Sequence, residues 1–225
     1  MVTVLIDNGH GEDTPGKRSP DGRLREYLKS RDIAKRIFAE LNRRAASSDL
    51  PVAVRLLVPE LKDIRLRERC SRVNAYCEKY GKDNVLLVSI HCNAAGEGDQ
   101  WKSAGGWCVY TSPGQTKADA LATELWNAAD VRLKDYKERF PLLQVQGVYD
   151  RRQKPMRADW SDGDPDYEAH FYILTHTACP AVLTESLFQD NKADCDFLLS
   201  DDGTRTIVEL HVDGIINYIK KTLNA

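Results

Sequence analysis

The sequence predicts an α/β domain in which helices cover both faces of a mostly parallel sheet. Short apolar runs alternate along the chain with longer segments of helical periodicity, the pattern of strand–helix–strand units. Several of the short runs are almost continuously apolar, as expected of strands that are buried on both faces. With 225 residues, 42% of them hydrophobic, the chain can form one sizeable core. We therefore expect residues 1–225 to form a single domain.

The expected strands are the apolar runs VTVLID (2–7), VAVRLLV (52–58), NVLLVSIH (84–91), GGWCVYT (105–111) and AVLTE (181–185). The first helix is predicted because Ile33, Ile37 and Leu41 recur every four residues. On the same grounds, helices are expected at residues 24–45, 65–80, 115–130, 166–175, 191–200 and 204–222.

Residues 139–165 lack any sustained periodicity and mix charged residues with Tyr149 and Trp160. Connections of this length without structure are uncommon in compact domains and are often functional. We expect a long surface loop near the functional site. A linker is the alternative, although apolar sequence resumes directly afterwards.

Composition excludes several classes of protein. A net charge of -2 gives no basic footprint for nucleic acid. No apolar run approaches the roughly 20 residues that span a bilayer, so no membrane insertion is expected. Met1 leads directly into the first strand without a secretion leader, so synthesis in the cytoplasm is expected. A substrate outside the cell would then require release by another factor, or a leader that has been removed.

The six cysteines contain no C-x-x-C pair, so reduced, buried thiols are expected rather than a cysteine zinc cluster.

Three predicted strands end in or near side chains that carry chemistry. The first strand leads to His10, the third ends at His91, and the last ends at Glu185. In open α/β sheets, functional sites gather beyond the carboxyl ends of the strands. We therefore expect these three side chains to lie at one edge of the sheet.

Glu26 is a fourth candidate. If the first helix already runs at Glu26, helical geometry turns this carboxylate within about 20° of Ile33 and Ile37, towards the core. A buried carboxylate is costly unless it is paired or bound to metal. If the helix begins later, Glu26 is a solvated charge favoured by the helix dipole. Periodicity leaves both interpretations open.

Two histidines and one carboxylate with an open fourth position form a catalytic zinc site. Such a Zn²⁺ ion polarises a carbonyl and lowers the pKa of bound water. A second glutamate without metal contact would then act as general base and acid.

The chain resembles the zinc-dependent N-acetylmuramoyl-L-alanine amidases of bacteria and their phages. The resembling segments are LIDNGHG, GRLREYLKSRDIAKRI, VLLVSIHCNAA and CPAVLTESLFQDN, which come in the family's order. From the first segment to the last, the resemblance extends over nearly the whole chain. The resemblance implies a three-layer fold with a mixed sheet of about six strands. It also implies Zn²⁺ ligands at His10, Glu26 and His91, and a catalytic Glu185. Many relatives carry a leader or a wall-binding module, and this chain shows neither.

Four further residues are candidates for supporting the site or binding substrate. Asp7 could orient a ligand histidine or merely form a turn at the strand end. Asn93 matches the resembling family's asparagine two residues after the second histidine. His176 could orient substrate or be an ordinary loop histidine. Trp160 could stack on sugar or peptide, or lie in a solvated acidic turn.

The expected activity is hydrolysis of the amide between the lactyl group of N-acetylmuramic acid and L-alanine in peptidoglycan. Two alternatives remain: a non-catalytic peptidoglycan-binding or regulatory protein of this fold, and a zinc peptidase that cuts within stem peptides. We expect a monomer whose site of action is the cell wall. The sequence does not choose between a phage lysin, a recycling enzyme and a secreted autolysin.

Overall fold

The computed structural model describes residues 1–134, 136 and 155–223. The described strands are β1 (Val2–Asn8), β2 (Val52–Leu56), β3 (Val85–Asn93), β4 (Cys108–Thr111), β5 (Tyr167–Glu168) and β6 (Ala181–Phe188). The described α-helices are α1 (Glu26–Ser47), α2 (Leu66–Tyr80), α3 (Lys117–Arg132), α4 (Tyr172–Thr175), α5 (Lys192–Leu199) and α6 (Asp201–Leu223).

The six strands form one mixed sheet in the order β2-β1-β3-β6-β4-β5. β1, β2, β3 and β6 run parallel, whereas β4 lies antiparallel to β6. The carboxyl ends of β1, β3 and β6 therefore meet at one edge of the sheet, as the sequence predicted. His91 and Glu185 are register partners on adjacent strands.

Alternate residues of the central strands face two separate apolar layers. Val4 and Ile6 pack with apolar residues of α1, α3, α5 and α6, whereas Leu5 packs with residues of α2 and α4. This alternation is the two-residue period of a strand. The predicted three-layer arrangement is confirmed.

The predicted helix at residues 166–175 is wrong in its first half. Tyr167–Glu168 forms the short strand β5, and only Tyr172–Thr175 is helical. Register pairing of Tyr167 with Tyr110 of β4 explains the difference, because a strand edge offers hydrogen bonds that sequence periodicity does not reveal. Of the predicted loop at 139–165, residues 139–154 lie outside the described part of the chain. Residues 155–165 contain no helix or strand.

All six cysteines are free and buried, as expected. Among the described helices, none has the length and apolarity that crossing a bilayer requires.

His211 is a fully buried residue of α6 with a partner on each ring nitrogen. Nδ1 donates to the carbonyl of Ile207 at 2.7 Å, which leaves Nε2 to accept from the Thr184 hydroxyl at 2.8 Å. Burial lowers the pKa of His211 to about 4, against the opposing effect of the bond to Ile207. The imidazole is therefore neutral in the folded protein at pH 5, where an unfolded chain would bind a proton.

Lowering the pH from 7 to 5 should therefore reduce the unfolding free energy of the wild type by about 2 kcal/mol more than that of a His211→Gln variant. Because the pKa of His211 is lower in the folded protein, its neutral imidazole makes its full contribution to stability above the ordinary histidine pKa of 6.5. That contribution is lost as the pH falls towards 4. Urea unfolding of both proteins at the two pH values measures the difference. Parallel pH dependence in the two proteins would contradict the assignment.

Candidate metal centre and its cavity

Three side chains with metal-binding atoms meet near the carboxyl ends of β1 and β3. His10 Nε2 lies 3.3 Å from Glu26 Oε1, and His91 Nδ1 lies 3.1 Å from the same oxygen. One donor atom from each residue lies within 4.8 Å of the other two, so the three could hold a metal ion. The two imidazole planes are nearly perpendicular, at 82°. The three residues thus lie close together, as the sequence analysis expected, although they are far apart along the chain.

Glu26 is both the first residue of α1 and buried, with 1% exposure. Glu26 lies in the first helical turn, as one interpretation of the sequence expected, but its carboxylate is buried, as the other expected. Oε1 also accepts a hydrogen bond from the Cys92 backbone N–H at 3.1 Å. Burial raises the pKa of Glu26, but hydrogen bonds with His10 and His91 outweigh burial and lower the pKa below its ordinary value. Glu26 is therefore anionic near neutral pH.

The glycines beside His10 make room for close neighbours. A Cβ atom on Gly9 would lie 2.4 Å from the ring of His91, and one on Gly11 would lie 2.0 Å from the backbone nitrogen of Asp63. The residue in the left-handed conformation is His10 itself, with φ 62°. The two glycines thus permit close packing, while His10 makes the turn at the end of β1.

Glu185 lies next to this cluster without contributing to it. Its Oε2 atom is buried and finds no hydrogen-bond partner in the described part of the chain. Burial raises the pKa of Glu185 to about 7, with His91 lowering it and Glu26 raising it further. A carboxyl group with such a pKa can accept and release a proton near neutral pH.

A buried arginine that the sequence analysis did not single out supports the loop at His10. Arg69 of α2 forms a 2.7 Å ion pair with Asp7 and a 2.9 Å ion pair with Asp63. It also donates to the carbonyls of Asn8 at 2.6 Å and His10 at 3.4 Å. Periodicity could have revealed Arg69, because it precedes Val73 and Cys77 by four and eight residues on the buried face of α2.

Asp7 is buried beneath the cluster and bonds to Arg69 and to the Ser89 hydroxyl, the latter at 2.6 Å. It supports the strand end of His10 through Arg69 and makes no bond to either candidate histidine.

A cavity of about 420 Å³ opens over the cluster. His10, His91 and Glu185 line it together with the exposed side chains of Lys17 and Arg65. Its apolar rim consists of Leu66, Phe171 and Tyr172, which are 49%, 38% and 37% exposed.

Three further residues that the sequence analysis considered do not line this cavity: Asn93, His176 and Trp160. Asn93 lies beyond His91 on β3 and bonds weakly to Cys108, at 3.9 Å. His176 stacks on Tyr172 with ring centroids 3.7 Å apart. Trp160 and Trp126 of α3 form a T-shaped ring pair, so the position of Trp160 gives no support to stacking on substrate.

A cluster of two imidazoles and one carboxylate, next to a second carboxyl group with an unpartnered oxygen, is typical of a metal-dependent hydrolase. A family model described as N-acetylmuramoyl-L-alanine amidase matches residues 4–217. The chain belongs to the N-acetylmuramoyl-L-alanine amidase family and is an enzyme of that family.

Comparison with named proteins supports the same family assignment. The endolysin of Bacillus phage SPP1 is 30% identical over 222 residues, which are 97% of this chain and 68% of the relative. The N-acetylmuramoyl-L-alanine amidase CwlM of Bacillus licheniformis is 24% identical over 225 residues, 100% of this chain and 72% of the relative. The structure of an N-acetylmuramoyl-L-alanine amidase from Clostridium difficile 630 shares the fold, with a TM-score of 0.72, 23% identity and 97% coverage of both chains.

Replacing Arg69 by methionine should reduce the unfolding free energy by about 3–5 kcal/mol, because Asp7 would remain as an unpaired buried charge. Chemical denaturation measures the loss. The matched control is the double variant Asp7→Asn, Arg69→Met, which removes both charges and should recover much of the stability. A loss below about 1 kcal/mol in the single variant would contradict the structural importance of this ion pair.

Proposed function

We propose that this amidase hydrolyses the amide between the lactyl group of N-acetylmuramic acid and L-alanine of the peptidoglycan stem peptide, with Zn²⁺ as its cofactor. The observation that carries the proposal is the cluster of His10, Glu26 and His91 beside the unpartnered Glu185. Membership of the amidase family supports the choice of bond and substrate.

The residues present fit Zn²⁺. Two imidazole nitrogens and one carboxylate are a common donor set for catalytic zinc, and the anionic state of Glu26 suits a cation. Magnesium and calcium prefer sets made of oxygens, which this cluster does not provide. When bound, Zn²⁺ supplies Lewis-acid chemistry that polarises the amide carbonyl and makes water a better nucleophile near neutral pH.

Glu185 is assigned the proton transfers. Its buried carboxyl accepts a proton from the attacking water and then donates a proton to the departing amine of L-alanine. A pKa of about 7 suits both steps, since the group must change its protonation state twice in each turnover. Below that pH the protonated carboxyl is a poor base.

The likeness to a phage endolysin supports action on the cell wall.

Digestion of purified peptidoglycan followed by mass spectrometry tests the proposed bond. The amidase releases peptides that begin with an intact L-alanine and leaves the glycan uncut. Fragments cut within the stem peptide would instead indicate a zinc peptidase. Binding to the wall without soluble products would indicate a non-catalytic protein, and either result would overturn the proposal.

Glu185→Gln should retain about one Zn²⁺ per chain. Its wall-lytic activity should fall by about 10²–10⁴-fold, because a carboxamide cannot act as the general base and acid. His91→Ala is the matched variant that should lose stoichiometric zinc. Metal analysis and a turbidity assay on cell walls measure both effects. Retained activity in Glu185→Gln would remove Glu185 as the base, and full zinc occupancy in His91→Ala would remove His91 as a ligand.

A further inference from the structure

A small hairpin precedes the metal ligand Glu26 and brings two arginines face to face. Arg18 and Arg25 are directly opposite each other in an isolated antiparallel bridge. Buried Ser19 holds the hairpin, since its N–H donates to the Leu24 carbonyl at 2.9 Å. The backbone N–H of Glu26 donates to the carbonyl of Lys17 at 2.9 Å, which fixes the hairpin to the start of α1.

This placement of two like charges is unfavourable on its own. Like charges directly opposite each other in an antiparallel pair are destabilising. The hairpin's own acid, Asp21, pairs with Arg23 at 2.6 Å and neutralises neither arginine. Within residues 1–134, 136 and 155–223, neither Arg18 nor Arg25 forms an ion pair with a carboxylate. An anion from outside the chain would relieve the repulsion.

The two arginines line a cleft of about 310 Å³ together with Lys17, and we call Lys17, Arg18 and Arg25 the basic cleft. Among the described residues that line the cleft, Glu12 is the one acid, so Glu12, Lys17, Arg18 and Arg25 together carry a net charge of +2, although the whole chain carries -2. Lys17 also lines the cavity over the candidate metal centre. The basic cleft therefore adjoins the site of the proposed reaction.

We propose that the basic cleft binds the free carboxylates of the stem peptide, so that the peptide leaves the metal centre past Lys17. The inference rests on the proposed function and adds the direction in which the substrate lies. Carboxylates are the fitting ligand class, because guanidinium groups bind them through two parallel hydrogen bonds.

The opposite assignment would place the peptide on the apolar rim of the metal cavity. Of the two exposed cations in the described lining of that cavity, Lys17 belongs to the basic cleft, which leaves Arg65 beside the exposed side chains of Leu66, Phe171 and Tyr172. Phe171 packs on Tyr110 with ring centroids 5.1 Å apart, so the rim is braced although it is exposed. Its chemistry suits the uncharged sugar, whose apolar faces stack on aromatic rings.

The test compares two soluble substrates that differ in charge alone: a disaccharide peptide with free carboxylates, and the same molecule with those groups converted to carboxamides. The proteins are wild type, Arg18→Gln, Arg25→Gln and the double variant. Arg65→Gln tests the opposite assignment. Arg67→Gln is the matched control, because Arg67 is an exposed arginine of α2 outside both cavities. Cleavage is followed by mass spectrometry as kcat/KM, and binding is measured by calorimetry in proteins that also carry Glu185→Gln.

Each single hairpin variant should lose about fivefold, and the double variant tenfold or more, in kcat/KM and in affinity for the carboxylate substrate. All of them should treat the carboxamide as wild type does, and Arg67→Gln should change neither value. Added salt should erase the wild type's preference for the carboxylate. The double variant should melt no lower than wild type, because it removes a like-charge pair.

Equal losses on both substrates, or loss of the carboxylate preference in Arg65→Gln instead, would overturn the assignment. Failure of the proposed function itself would look different, because wild type would then cleave neither substrate at the amide of L-alanine.

Discussion

The architecture around the site depends on one buried carboxylate. Glu26 has 1% exposure, and removing an unpaired carboxylate from water to this degree is strongly unfavourable. Four groups in the described part of the chain offset that cost: the imidazoles of His10 and His91, the backbone N–H of Cys92, and the side-chain amide of Gln189, which donates to Oε2 at 3.4 Å. Because Glu26 is also the first residue of α1, the positive end of the helix dipole favours the negative charge of its carboxylate.

Satisfying Glu26 constrains the segments on every side of it. The end of β1 must turn sharply so that His10 reaches the carboxylate, and His10 takes a left-handed conformation to do so. Gly9 must lack a side chain because the His91 ring occupies that space. Arg69 then holds the turn from below by bonding to Asp7 and to the backbone of the turn. The packing of this region and the proposed metal centre thus depend on the same few residues.

Much of this arrangement could be predicted from the sequence. Alternating apolar runs predicted the layers, and the rule that sites lie at strand ends brought His10, His91 and Glu185 together. Periodicity could not decide where α1 begins, so the burial of Glu26 required the resemblance to a known family. The strand β5 was missed because two residues carry no period, and its pairing with β4 is a long-range contact. No pattern in the sequence indicated that Trp160 would pack on Trp126.

X-ray absorption spectroscopy of the protein loaded with one equivalent of Zn²⁺ tests the central claim most directly. The account predicts only nitrogen and oxygen ligands at about 2.0–2.2 Å, with the outer-shell scattering of two imidazole rings. The buried thiols of the six cysteines provide the contrast. A sulfur ligand at about 2.3 Å, or a spectrum without imidazole scattering, would contradict a metal centre made of His10, Glu26 and His91.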